Sequence, residues 1–195
     1  MTHFTKRQRQ IIQTAIELIA DKGIQQLTIK NLSQKIGIAE SAIYRHFASK
    51  MDILLGILAL FADNEQQMNR SLDDNTTGIA EKLQRLLMER FAYFAKNRAV
   101  ASVIFSEELF RNDPRLSERI YELMQKNQEM IVRLIVQGQQ SQEFRPDIRP
   151  ESVAFMIMGG MRLIVAQWRF SGYDFDLQEK GRLFWQTVEI LLKKK

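Results

Sequence analysis

The chain has no cysteine and only three prolines, two histidines and two tryptophans in 195 residues. Without cysteine there are no disulfides, zinc–thiolate sites or thiol nucleophiles. This fits a reducing compartment without requiring one. His3 sits near the terminus and His46 in a helical segment, which is too few for a histidine-based metal centre or acid–base relay. No metal or cofactor is expected. Carboxylates are plentiful, yet no pair stands out against an apolar background, so no enzymatic role is expected. All three prolines lie between Pro114 and Pro150, leaving the rest of the chain free to be helical. Alternating apolar and polar runs long enough for a strand are missing. The longest apolar runs, 53–62 and 153–161, fall short of the ~18 residues that a membrane span needs, so no membrane role is expected. The first residues are basic but lack the apolar stretch and cleavage site of an export signal, so the expected location is the cytoplasm.

The residues that are present, 45% hydrophobic and 26% charged, are those of an ordinary globular chain, long enough to bury a sizeable core. Its net charge of +5 is unevenly spread. Residues 1–55 hold eight basic side chains (Lys6, Arg7, Arg9, Lys22, Lys30, Lys35, Arg45 and Lys50) against four acidic ones, while the other 140 hold twenty against nineteen. A phosphate-binding surface needs such an excess at one end. A solvated basic face would give the same count.

Apolar residues recur at helical spacing nearly throughout, which predicts an all-α chain of about nine helices. The expected spans are 4–22, 28–35, 39–46, 49–70, 77–96, 98–110, 114–140, 150–170 and 176–193. Gly23 closes the first, and Thr28 caps the second with Leu27 and Leu32 as a hydrophobic staple. Asp113-Pro114 reads as a cap followed by a first-turn proline, and Arg149-Pro150-Glu151 opens another helix that Gly172 ends. The stretch 73–78 is a polar loop.

Between Thr28 and Phe47 lie two short helices joined by a tight turn. Ile29, Leu32 and Ile36 line one face of the first, and Gly37 supplies the positive φ of the turn. In the second, Ile43 and Phe47 point inward at i, i+4 spacing, which leaves Glu40, Ser41, Tyr44 and Arg45 outside. This is a helix-turn-helix pattern, whose second helix enters the DNA major groove. The run 37–50, GIAESAIYRHFASK, closely resembles the signature of the tetracycline-repressor (TetR) family, with Tyr44-x-His46-Phe47-x-x-Lys50 its most specific part. Arg9, Ile12, Ala15, Ile16, Gly23, Leu27, Thr28 and Leu32 match that family's first two helices. The likeness is sharp over residues 7–55 and rests on architecture beyond them.

The resemblance implies a DNA-binding part at 1–48, a helical effector-binding and dimerisation part at 49–195, and a regulator that binds a palindromic operator as a homodimer. The site residues expected on DNA are Thr28, Lys30, Glu40, Ser41, Ala42, Tyr44, Arg45, His46 and Lys50. Chemically, Thr28, Tyr44, His46 and Lys50 suit phosphate, and Arg45 suits either a guanine edge or a backbone clamp. Two departures stand out: Ala39 and Ala42 lack the hydroxyls common in the family, so the groove helix loses a side-chain cap worth about 1 kcal/mol. Glu40 either favours the helix dipole or accepts from a cytosine amino group.

The remaining 140 residues are rich in Phe and Met, which make adaptable cores. The family resemblance implies a small-molecule pocket among helices four to eight. For an apolar or amphipathic effector the expected lining is Phe61, Met88, Phe91, Phe105, Met124, Met158 and Arg162, with Phe94, Phe110, Met130, Phe155 and Met156 in the same apolar set. Arg162, amid apolar residues, calls for an ion pair with Glu107 or Glu108, a place at the dimer surface, or an acidic group on an effector. The last two helices are the expected dimer interface, through Gly159, Gly160, Trp168, Phe184, Trp185, Val188 and Leu191. An intrachain core would hold the same residues. Besides a ligand-responsive repressor, two readings stay open: a DNA-binding scaffold controlled by a protein partner, and an activator.

Overall fold

Several helices begin where a side chain can accept from the first free N–H groups. In the computed structural model, which describes residues 3–70, 77–106 and 113–194, Thr5 opens α1 (Lys6–Lys22) through a reciprocal pair with Gln8: the Gln8 N–H donates to Thr5 Oγ1 (3.2 Å) and the Thr5 N–H to Gln8 Oε1 (3.0 Å). Thr28 caps α2 (Ile29–Ile36) by accepting from the Asn31 N–H at 3.1 Å. Gly37, at φ 77°, ends it in the left-handed conformation, and the N–H groups of Gly37 and Ile38 both return to the Ser33 carbonyl. Helix α3 (Glu40–Tyr44) follows, then α4 (Lys50–Arg70), α5 (Ile79–Lys96), α6 (Arg98–Ile104), α7 (Pro114–Gln140), α8 (Pro150–Phe170) and α9 (Leu177–Leu192). A 3-10 turn, Ile24–Gln26, lies between α1 and α2, and a lone bridge pairs Phe144 with Lys193. Among the described residues the chain is therefore all-α with nine α-helices, as expected.

Two helices are shorter than the sequence predicts. Helix α3 stops at Tyr44 rather than 46, its cap position Ala39 makes no side-chain hydrogen bond, and beyond Tyr44 the His46 N–H reaches back only three residues, to Ile43. Helix α6 ends at Ile104, where the Ser106 N–H bonds Val103 in a tightened last turn. Positions 107–110 of its expected span, with Glu107, Glu108 and Phe110, lie outside the described residues, as does most of the expected loop 73–78.

The chain divides into two compact units, Met1–Gln66 with Asn97–Tyr121, and Gln67–Lys96 with Glu122–Lys195. In the first, α1 packs on α2 and α6, and α2 on α3. Ile11, Ile12, Ala15, Leu27, Leu32, Ile43 and Phe47 are buried there. Gly56 lets α4 approach closely, since a β-carbon on it would lie 2.8 Å from Ile12 Cδ1. In the second unit α9 packs on α5 and α8. Its core joins Leu83, Leu86 and Leu87 of α5, Ile131 and Ile135 of α7, Ile157 of α8, and Trp185 and Val188 of α9. Gly181 of α9 admits the buried ring of Phe91. Glu143, in the turn after α7, caps α5 from 64 residues away: its two carboxylate oxygens accept from the N–H groups of Ile79 and Ala80, each at 3.0 Å. Desolvation alone would raise the Glu143 pKa. The Ala80 and Ile79 N–H groups, the Ser141 hydroxyl and the charge of Lys82 outweigh it and hold the carboxyl below its ordinary value.

Helix α8 is longer and more apolar than a count of uninterrupted runs suggests. By length and composition it is apolar enough to cross a membrane, although only a third of it is buried within the chain. Counting uninterrupted apolar runs missed it because Arg162 ends the run 153–161 without making the helix polar, and residues 163–166 are apolar again. It is apolar on two faces.

Candidate nucleic-acid interface and regulatory body

The outward face of the helix-turn-helix is set by what its inward face must bury. Ile43 is fully buried and Phe47 nearly so, each burial stabilising by about 1.5–3 kcal/mol, and they fix the rotation of the segment. Glu40, Ser41, Tyr44 and Arg45 are consequently exposed, Tyr44 with half of its surface in solvent. Such an exposed tyrosine adds nothing to the core and offers its hydroxyl to a partner. Ala42 and His46 are half-buried, and the His46 carbonyl accepts from Gln8 Nε2 at 3.4 Å, which ties the end of the motif to α1. Thr28, Lys30 and Lys50 are exposed at or near the starts of α2 and α4. Thr28 uses its oxygen as acceptor in the cap, and its hydroxyl proton remains for an incoming oxygen.

Among the eight cations, Arg7 donates from Nη1 to Gln10 Oε1 at 2.7 Å, and Lys35 is held by carboxylates of α1. Lys35 Nζ lies 2.9 Å from Asp21 and 3.7 Å from Glu17. The hydrogen bond to Asp21, against some desolvation, raises its pKa. Lys35 thus stitches α2 to α1. Beyond the motif, Arg115 of α7 donates through Nε and Nη2 to both oxygens of Asp113 (3.0 and 2.7 Å) and through Nη1 to Asp52 Oδ1 (2.8 Å). Asp52 Oδ2 accepts from Ser49 Oγ at 2.9 Å, and Ser49 Oγ accepts from the Asp52 N–H at 3.3 Å. No local pattern announces this chain of contacts, because Arg115 is 63 residues from Asp52.

The expected effector residues fall in both units. Phe61 and Phe105 belong to the first; Met88, Phe91, Met124, Met158 and Arg162 belong to the second. Phe91 is fully buried on Gly181, a packing role that accounts for it. Met88 and Met158 pack against the core of the second unit, while Met124 is exposed. Phe105 and Arg162 are half-buried, and the carboxylates expected to pair with Arg162 lie outside the described residues. The second unit also buries two cations on α5. Lys82 is one; the other, Arg90, donates from Nη2 to Asn127 Oδ1 at 2.7 Å.

The expected dimer residues divide between the subunit's interior and its surface. Trp168, Trp185 and Val188 are buried within their own subunit, the last two in its core, because their volume is needed there. Gly160 makes room for Phe184 of the same chain: a β-carbon would lie 2.5 Å from Phe184 Cε2. The contact of Gly160 with half-buried Phe184 joins α8 to α9 inside one subunit. Gly159 and Leu191 do face out, and nothing lies within 4 Å of a β-carbon on Gly159. Of the ten large apolar side chains left exposed among the described residues, seven are on these two helices: Phe155, Met156, Leu163, Phe170, Leu183, Ile190 and Leu191. Phe155, Gly159 and Leu163 recur every four residues, a spacing present in the sequence.

An all-α chain with an N-terminal helix-turn-helix, a basic motif face and a larger helical body is the architecture of a bacterial DNA-binding regulator. Residues 11–57 match the tetR family of bacterial regulatory proteins, and residues 59–192 match the C-terminal region of YsiA-like proteins. The chain belongs to the TetR family of transcriptional regulators. It is 26% identical over 171 residues to the fatty acid metabolism regulator protein of Bacillus subtilis, covering 86% of each chain. It is 26% identical over 184 residues to the HTH-type transcriptional repressor KstR2 of Mycobacterium tuberculosis, covering 93% of this chain and 90% of that one. Its fold matches the crystal structure of FadR from Bacillus subtilis, solved in complex with stearoyl-CoA, with a TM-score of 0.81 at 23% identity over 94% of this chain and 98% of that one.

Proposed function

We propose that the protein is a ligand-responsive repressor that binds a palindromic DNA operator as a homodimer and leaves it when a long-chain acyl-CoA thioester, or an effector of like amphipathic chemistry, binds the helical body. Residues 1–48 form the DNA-reading part and 49–195 the regulatory part, and the protein works in the cytoplasm, on the nucleoid. The observation that carries DNA binding is the exposed set Glu40, Ser41, Tyr44 and Arg45, held outward by buried Ile43 and Phe47 and flanked by Thr28, Lys30 and Lys50. Ala42 and His46 complete the face, with His46 anchoring its end.

Dimerisation is supported by the apolar stripe Phe155–Gly159–Leu163 on α8 with Leu183, Ile190 and Leu191 on α9, a face that water solvates poorly and a second copy covers. One short groove helix binds weakly; two on one dimer read two half-sites. The effector class is supported by the relatives, one a regulator of fatty acid metabolism and one of that name's fold holding stearoyl-CoA. It is supported also by the second unit holding both Met88 and Met158 against its core and the buried cations Lys82 and Arg90, residue types that suit an apolar tail and an anionic head.

The test is selection of duplexes from a random library by the full chain, followed by titration of the enriched duplex with stearoyl-CoA. Inverted half-sites about one helical turn apart, released by the thioester, are expected. Unsymmetric or single-stranded products would overturn the operator reading. An intact complex at saturating thioester would overturn the effector class, leaving control by a protein partner to explain the body.

A further inference from the structure

The contacts around Arg115 carry an inference that rests on the operator-binding reading and extends it. Helix α4 begins at Lys50, and its first turn is closed by Ser49 and Asp52, each accepting a hydrogen bond from the other residue. Lys50 is exposed, and the direction of its stem is set by how that first turn is held. Both oxygens of Asp52 are engaged, one by the Ser49 hydroxyl and the other by Arg115. Arg115 is itself held rigidly, with two parallel bonds to Asp113, whose Oδ1 also accepts the Arg115 backbone N–H at 2.9 Å. Asp113 is shielded, its side chain only 10% exposed. The hydrogen bond from Arg115 keeps its carboxyl in the charged form.

We infer that Arg115, far from the motif in sequence, is a positioning residue for DNA binding: it pins the start of α4 to the start of α7 and so aims Lys50 at the phosphate backbone. An isolated surface ion pair would do little. This one differs in geometry, because one planar guanidinium bridges two carboxylates, and one of these closes the turn that carries a DNA-facing cation. Helix α7 runs from this clamp into the second unit, Pro114–Gln140 being one helix whose residues after Tyr121 belong there.

The sign of one substitution separates positioning from simple electrostatics. Asp52→Ala removes a negative charge close to the DNA-facing surface, so charge alone would leave phosphate binding equal or tighter. Positioning requires the reverse. The experiment uses the full-length chain and a fluorescent duplex enriched from a random library, with affinity measured by anisotropy across a salt series. Arg115→Gln, at a half-exposed side chain, is expected to keep the fold, and circular dichroism with sedimentation verifies this for every variant. Arg115→Gln and Asp52→Ala are each expected to weaken binding about 3- to 10-fold, the scale of coupling through packed contacts. Arg115→Lys, which keeps the charge but not the two-carboxylate bridge, is expected to restore only part. Combined with Lys50→Ala, Arg115→Gln should add no further loss. Equal or tighter binding by Asp52→Ala overturns the inference, as do losses from Lys50→Ala and Arg115→Gln that multiply. If the unaltered chain selects no duplex, the operator reading itself fails, and that outcome is distinct from both.

Discussion

Leu163→Glu is expected to break the dimer while leaving each subunit folded. Leu163 lies on α8 with 60% of its surface exposed, four residues beyond Gly159 and seven before Phe170. Full burial of a leucine stabilises by about 1.5–3 kcal/mol, so covering the exposed part stabilises by about 1–2 kcal/mol per subunit. In a twofold interface the residue appears once from each partner, which doubles the contribution to about 2–4 kcal/mol per dimer. At 1.4 kcal/mol per tenfold, the dissociation constant rises roughly 30- to 700-fold. Two glutamates desolvated in the same interface push further in that direction. Sedimentation velocity over a subunit dilution series reads the shift, and far-UV circular dichroism reports the fold. A dissociation constant unchanged from the parent chain, with intact helicity, would refute the interface on this face. Gly160→Glu is the internal comparison. Its new side chain meets Phe184 of its own subunit, so loss of helicity and thermal stability is expected instead of clean monomers.

Lys50→Ala is expected to weaken binding to all duplexes alike and to lower the salt slope by about one, whereas Arg45→Ala should relax base preference at one position per half-site; uniform loss from Arg45→Ala would make it a backbone clamp. Glu143→Gln is expected to destabilise by about 1 kcal/mol at pH 7, the usual worth of a helix cap, in urea titrations. Because the folded Glu143 pKa is lowered, its contribution is complete above the ordinary glutamate value of about 4.3 and disappears as pH falls through the folded value. The gap between the two proteins should therefore close in acid, and a gap independent of pH would contradict the cap. Phe91→Ala should cost about 3–5 kcal/mol of unfolding free energy, since the ring is fully buried against Gly181; a small stability change with lost thioester response would return Phe91 to the effector site.

The fold was legible because its signals are local. Thr28 three residues before Asn31, Gly37 at a left-handed corner and Asp113 ahead of Pro114 each act within one turn of helix. A reader of the sequence needs only capping chemistry and a 3.6-residue period to find them. The motif face was legible for a related reason: once Ile43 and Phe47 must face inward, helical geometry decides where Tyr44 and Arg45 go. Contacts that close over 63 or 64 residues, Arg115 to Asp52 and Glu143 to the start of α5, leave no periodic trace. They are products of packing, and only the folded chain brings them together.

The mixing of interior and surface positions in the expected interface has a different cause, best seen in Gly159 and Gly160. They are identical in type and adjacent in sequence, so the residue itself says nothing about role. One step along a helix is a rotation of about 100°, enough to carry a position from one packed face to another. Gly160 turns toward Phe184 and belongs to the subunit, while Gly159 turns into open space. Because α8 is apolar on both faces, hydrophobicity cannot tell which one meets the chain's own core. Size decides in part, since Trp168, Trp185 and Val188 fill volume that the subunit needs before any partner arrives. The face left over carries Phe155, Leu163 and Phe170, side chains large enough to drive association yet unneeded by the monomer's core. A helix with two apolar faces is itself the indication that one of them awaits a partner, and its exposed stripe becomes readable only after the core has claimed the other.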